Sequence, residues 1–141
     1  MHIPGHLAVS IAQHCLPPFA KNKKTLAPLI LAGLFPDIID KTIGYIFKIM
    51  PNGRHFAHNI FSLVGVSLFV GIIWGKVTGL TWFAGYLGHL LTDQGRGLVP
   101  WLFPFRKYRF RKGKLFSFKP TRLLQETLFL GLVLIIHRLS R

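Results

Sequence analysis

Apolar runs separated by short polar or basic breaks give the chain an all-helical pattern. Residues 3–16 form one short helical segment, opened by Pro4 and stopped by Pro17-Pro18, with His6, Ser10, Gln13 and His14 recurring on one side. Lys21–Lys24 reads as a basic loop. Leu26–Phe35 is apolar but shorter than the ~20 residues a crossing helix needs, so it reads as a buried or re-entrant segment ending at Pro36. Asp37–Met50 predicts a second short helix, and Pro51-Asn-Gly53 a turn. Phe56–Trp74 is the clearest candidate membrane span, and Leu80–Leu91 predicts another apolar helix with Trp82 and Tyr86 at an interface. Val99–Phe105 carries two prolines and reads as irregular, and Leu123–Ile136 predicts the last helix.

Charge sharpens this picture. Lys and Arg number 18 against 4 acidic residues, for a net charge of +14, yet the mean hydropathy is +0.42. Basic residues gathered between apolar runs are the layout of a small integral membrane protein. The expected fold is therefore an all-α integral membrane helical bundle, one domain over residues 1–141, in a prokaryotic-type inner (plasma) membrane. The loop 106–114 holds six cations with Tyr108 and Phe110. It reads as a cytoplasmic loop gripping anionic lipid head groups. The same mixture suits single-stranded nucleic acid, the less favoured partner here. The single cysteine, Cys15, rules out an internal disulfide, and the start Met-His-Ile-Pro-Gly-His has no basic leader region.

The acids carry the chemistry. Asp37, Asp40 and Asp93 sit in apolar settings beside Pro, Gly or His, where an unpaired charge is costly. His89 and Asp93, four residues apart in Gly85-Tyr-Leu-Gly-His-Leu-Leu-Thr-Asp93, share a helix face and could share a metal ion. Three further polar islands are Gly5-His6, Pro36-Asp37-Ile-Ile-Asp40 and Arg54-His55-Phe-Ala-His58. Together they offer the nitrogen and oxygen ligands that zinc prefers. Plainer readings stand beside this one: His89 and Asp93 as a helix-stabilising pair, and Asp37 as charge compensation at a helix start after Pro36. No Ser or Cys has a partnered base, which disfavours nucleophilic catalysis.

Those four islands, in this order, resemble the YdjM family of membrane-bound metal-dependent hydrolases, together with Leu34-Phe-Pro-Asp37 and Gly97-Leu-Val-Pro-Trp-Leu-Phe-Pro104. The resemblance runs from about residue 5 to 112, and the motif order is also similar to that of zinc-dependent phospholipases C. It implies that Asp37, His58, His89 and Asp93 hold one metal ion, and that His6 holds a second with Asp93 bridging. Zinc is the expected ion, one or two of them, with manganese as an alternative. The chain departs from the family pattern at Gly53, which replaces a His, and at Asn59, which replaces a Ser. His55 stands where the family has Gly, so His55 and Asn59 are candidates for the shell outside the ligands. Asp40 is displaced by one added residue.

The expected function is metal-assisted hydrolysis of a phosphoester or other ester bond, of a lipid among the candidates. Asp37 or Asp40 would take the proton, Arg54 and Arg96 would pair with a phosphate, and the 80–91 aromatics with Trp101 would border an acyl channel. The alternatives are a non-catalytic subunit of a larger membrane complex with a structural or degenerate metal site, and a membrane-tethered nucleic-acid or regulator binder using loop 106–114.

Overall fold

The computed structural model describes residues 2–47, 53–95, 99–108 and 119–140, with the side chain of Tyr45 excluded. The described residues form six α-helices: α1 Ile3–His14, α2 Pro17–Ala20, α3 Leu26–Phe47, α4 Ile60–Trp74, α5 Lys76–Gln94 and α6 Pro120–Leu139, with a 3-10 turn at Lys23–Thr25 before α3. No strand occurs among the described residues. The all-helical expectation holds.

Two boundaries differ from the sequence reading, and each difference builds the site. Pro36 does not divide two helices. It lies inside the 22-residue α3, so Leu26–Phe35 and Asp37–Phe47 are one element. Packing outweighs the local cost of the proline: Leu29 and Ala32 on this helix are fully buried against α1 and α5. Second, Phe56–Asn59 is not helical, and α4 begins at Ile60. Asp40 holds the backbone of this stretch in an open conformation. Its Oδ2 accepts from the His55 N–H at 2.5 Å and its Oδ1 from the Ala57 N–H at 2.9 Å. Asn59 then caps α4, its Oδ1 accepting from the Ser62 N–H at 2.9 Å.

The shortened α4 has 15 residues, about 22 Å at 1.5 Å per residue, against a hydrocarbon layer of ~30 Å. Among the described residues no helix is long and apolar enough to cross a membrane. The expected span at Phe56–Trp74 is therefore not one. The longer helices carry charge: Asp37, Asp40 and Lys41 on α3, Lys76 and Asp93 on α5, Arg122 and Glu126 on α6.

The helices pack in the order α6, α1, α3, α5, α4, with α1 also touching α5. Gly75, at φ +91°, turns the chain between α4 and α5 within one residue. These two helices fold back on each other so closely that a Cβ on Gly79 would lie 2.6 Å from the Gly71 Cα. At the centre, α3 and α5 run parallel with a constant offset of 56 residues. Gly85 abuts Leu29, where a Cβ would meet the Leu29 carbonyl at 2.6 Å, and His89 Nδ1 donates to the Gly33 carbonyl at 2.7 Å. Tyr86, Leu63, Leu90, Ala32 and Val99 form the apolar core beside this seam. The outer helix α6 runs parallel to α1 and is tied to it at both ends. Glu126 accepts from the His2 N–H at 2.8 Å, and the His14 and His137 rings meet at 3.0 Å.

Candidate metal centre

The parallel seam of α3 and α5 carries four-residue steps on both helices. One step beyond the Gly33–His89 contact, Asp37 and Asp93 face the same space. The non-helical stretch held by Asp40 delivers His58 from the third side, and α1 delivers His6 from the fourth. Asp37, His58, His89 and Asp93 each offer a ligand atom within 4.8 Å of the others, and all four are buried.

The hydrogen bonds fix which ring atoms face the centre. His58 Nδ1 lies 2.7 Å from Asp40 Oδ2, and His89 Nδ1 donates to the Gly33 carbonyl, so both rings turn Nε2 inward. The two Nε2 atoms approach to 3.1 Å. His58 Nε2 is 3.7 Å from both Asp37 Oδ1 and Asp93 Oδ2, and His89 Nε2 is 3.9 Å from the same two oxygens. The remaining carboxylate oxygens face His6, whose Nε2 is 3.8 Å from Asp37 Oδ2 and 3.7 Å from Asp93 Oδ1. The His6 ring stacks on His89 at 3.9 Å between centroids.

Burial and charge set the protonation states. Burial first, then the neighbouring His89, push His6 down to about 2. Burial, then His58, push His89 down to about 4. Both rings are neutral at pH 7, the state in which imidazole binds metal. Burial also opposes charge on His58, but the hydrogen bonds to Asp40 and Asp93 win and raise its pKa. Asp93 stays ionised despite burial because His58 hydrogen-bonds to it and Arg54 adds positive potential. Burial lowers His55 and raises Tyr86.

The residues present fit a divalent cation. Both ring nitrogens of His6 are buried without a hydrogen-bond partner, and its Nε2 faces one oxygen of each aspartate, open to a cation there. The nitrogen–oxygen separations of 3.7–3.9 Å are slightly wider, and the Nε2–Nε2 separation of 3.1 Å slightly narrower, than the edges of a tetrahedron with bonds of about 2.1 Å. His58 and His89 each have the outer hydrogen bond that orients a metal-binding histidine.

The other expected residues take distinct places. Arg54 Nε binds Asp93 Oδ2 at 2.8 Å. Asp40 lies outside the four-ligand group, with both oxygens engaged by the 55–58 stretch. His55 packs its ring on Phe103 at 4.3 Å, away from the ligand group, and Asn59 is the α4 cap. Arg96 lies outside the described residues, as do residues 109–114 of the basic loop. Sequence reading passed over three contributors. Lys41 pairs with Asp37 Oδ2 across one helical turn, a spacing that could have exposed it. The Gly33 carbonyl and the Tyr86 hydroxyl, which donates to the Ala57 carbonyl at 2.5 Å, leave no local sequence signal.

A family model described as YdjM inner membrane protein matches residues 1–140. No curated protein and no solved structure matches the chain.

Proposed function

The chain belongs to the YdjM inner membrane protein family, and from that membership and the geometry of the buried centre we propose that it is a metal-dependent hydrolase of a phosphoester or other ester bond, acting at the inner (plasma) membrane. One observation carries the metal reading. His58 and His89 present Nε2 atoms to each other at 3.1 Å while each Nδ1 is committed outward. Without an ion that contact is a hydrogen bond that needs a proton on one Nε2; with both rings neutral, a cation set among the two nitrogens and the flanking carboxylates takes the proton's place.

Asp37, His58, His89 and Asp93 would hold the ion, with zinc the best match to a mixed nitrogen and oxygen set and manganese the alternative. His6, with the second oxygens of Asp37 and Asp93, outlines a second position. A bound divalent ion supplies Lewis acidity, polarising an ester oxygen and making water acidic near neutral pH. The chain's own residues do the rest. Asp40 and Gly33 fix the two rings. Arg54 and Lys41, with side chains 21% and 26% exposed, stand at the rim of an otherwise buried cluster and favour entry of an anionic group such as a phosphate. Asp37, through the oxygen turned away from the His58 and His89 side, would take the proton released in hydrolysis, and Asp40 keeps the His58 ring oriented.

The membrane reading rests on the family and on the exterior. Leu68, Phe69 and Ile72 on α4 and Leu128, Leu132 and Leu139 on α6 are large exposed apolar side chains, with Ile72 at 83%. Phe103 and Phe56, whose rings lie 5.8 Å apart beside His55, would seat the apolar part of a lipid substrate. The likeness to phospholipases C rests on motif order alone.

Elemental analysis of purified protein tests the centre, with Asp93→Ala and His89→Ala beside the native chain. Stoichiometric zinc or manganese lost in both variants, and metal-dependent turnover of phospholipids or simple phosphodiesters, is the expected result. Stoichiometric metal with no turnover on any ester would favour a structural site in a larger membrane assembly. No metal in the native chain would overturn the proposal.

A further inference from the structure

The two carboxylates at the centre are each split between two positions. Asp37 Oδ1 and Asp93 Oδ2 face His58 and His89, whereas Asp37 Oδ2 and Asp93 Oδ1 face His6. Histidine and two carboxylate oxygens could ligate a second ion on the His6 side, and this arrangement alone would suggest a dinuclear centre. One further group changes that. Lys41, one turn along α3 from Asp37, places its ammonium on Asp37 Oδ2, the same oxygen that faces His6.

We propose that Lys41 takes the place of a second metal ion, so that this centre holds a single ion on the His58 and His89 side, with the Lys41 ammonium as its second cation. The inference rests on the metal-centre reading above. Arg54 lies on Asp93 Oδ2 in the same way, but on that side His58 and His89 complete a four-ligand set for an ion, whereas on the His6 side a single imidazole would have to hold a second ion against the Lys41 ammonium already on Asp37 Oδ2. Charge points the same way. Asp37, Asp40 and Asp93 are already faced by Lys41 and Arg54, so one divalent ion leaves a small local excess of positive charge and two leave a large one. Lys41 also keeps donors to spare. An ammonium has three, Asp37 takes one, and the partly exposed side chain can turn another toward an anionic substrate oxygen beside the ion. A lysine is suited to this because, unlike a second metal, it brings positive charge without needing ligands of its own.

The test counts zinc per chain, by elemental analysis and calorimetric titration, in the native protein, Lys41→Met, Lys41→Arg and the double variant Lys41→Met/His6→Ala. Methionine keeps the length and helix preference of lysine without its charge. One zinc is expected in the native chain and in Lys41→Arg, two in Lys41→Met, and one again in the double variant. Two zinc ions in the native chain would overturn the inference, as would a Lys41→Met protein that takes up no more zinc than the native. In the latter case a single native ion leaves the metal-centre reading standing. No zinc in the native chain removes both.

Discussion

Asp40 and His58 meet at 2.7 Å between Oδ2 and Nδ1, with both residues fully buried. The same carboxylate accepts the backbone N–H groups of His55 and Ala57, so one side chain on α3 both shapes the 55–58 stretch and chooses the ring nitrogen that faces the centre.

Replacing Asp40 with Asn removes a charged acceptor from His58 and one acceptor oxygen from the loop. Zinc affinity should fall by roughly 10–100-fold, the usual cost of losing an outer partner of a metal-binding histidine. Calorimetric titration of Asp40→Asn against the native chain measures this. Unchanged affinity would show that His58 is oriented by other means.

Acid should loosen the fold. His6 is pushed down to about 2 and His89 to about 4, against 6.5 for a free histidine. Between pH 6.5 and about 4 the unfolded chain takes up protons that these two rings refuse, so stability falls as pH drops, by up to about 1.4 kcal/mol per pH unit for each ring. His58 is shifted upward and contributes in the opposite sense, stabilising the fold below 6.5 and so offsetting part of the loss. Denaturation midpoints at pH 7 and pH 5, with chelator present, give the difference. His6→Leu should shrink it, and a midpoint equal at both pH values would contradict the assignment.

The contact between α3 and α5 should resist any added atom. A methyl group at Gly85 would lie 2.6 Å from the Leu29 carbonyl and 3.1 Å from Ala32 Cβ. Gly85→Ala should therefore cost about 1–3 kcal/mol and weaken zinc binding, because it pushes apart the helices that carry His89 and Asp37. Gly131→Ala on α6 meets nothing within 4 Å and should be neutral or stabilising by up to about 1 kcal/mol. Thermal melts of the two variants, side by side, separate close packing from helix preference.

Asn59 departs from the family pattern, and its task here is local. Asn59→Ala should cost about 1 kcal/mol through loss of the α4 cap. Asn59→Ser keeps a capping oxygen and should recover most of it, as read from denaturation midpoints.

Much of the centre was legible because acids are scarce. With 4 in the chain, Asp37 and Asp93 in apolar surroundings announced themselves, and the four-residue spacing of His89 and Asp93 placed them on one face. His58 stood out as a histidine inside an apolar run. What the pattern concealed was long-range. Pro36 punctuates a sequence locally, but buried neighbours carry α3 through it. Phe56–Asn59 has the composition of a helix, yet an acid on another helix claims the N–H groups of His55 just before it and of Ala57 within it. That capture also cut the expected membrane span to 15 residues. The roles of Asp40 and Lys41 depend on which oxygen of which carboxylate they touch, and spacing alone does not resolve that.

The constant offset between α3 and α5 also sets where the chain can change length. One residue inserted within either helix rotates everything beyond it by about 100° and carries the distal ligand off the shared face. Insertions between the helices leave the seam in register. The centre thus works like a ruled scale: its two edges must be cut in equal steps, while the cord joining them can lengthen outside the 55–58 stretch that delivers His58.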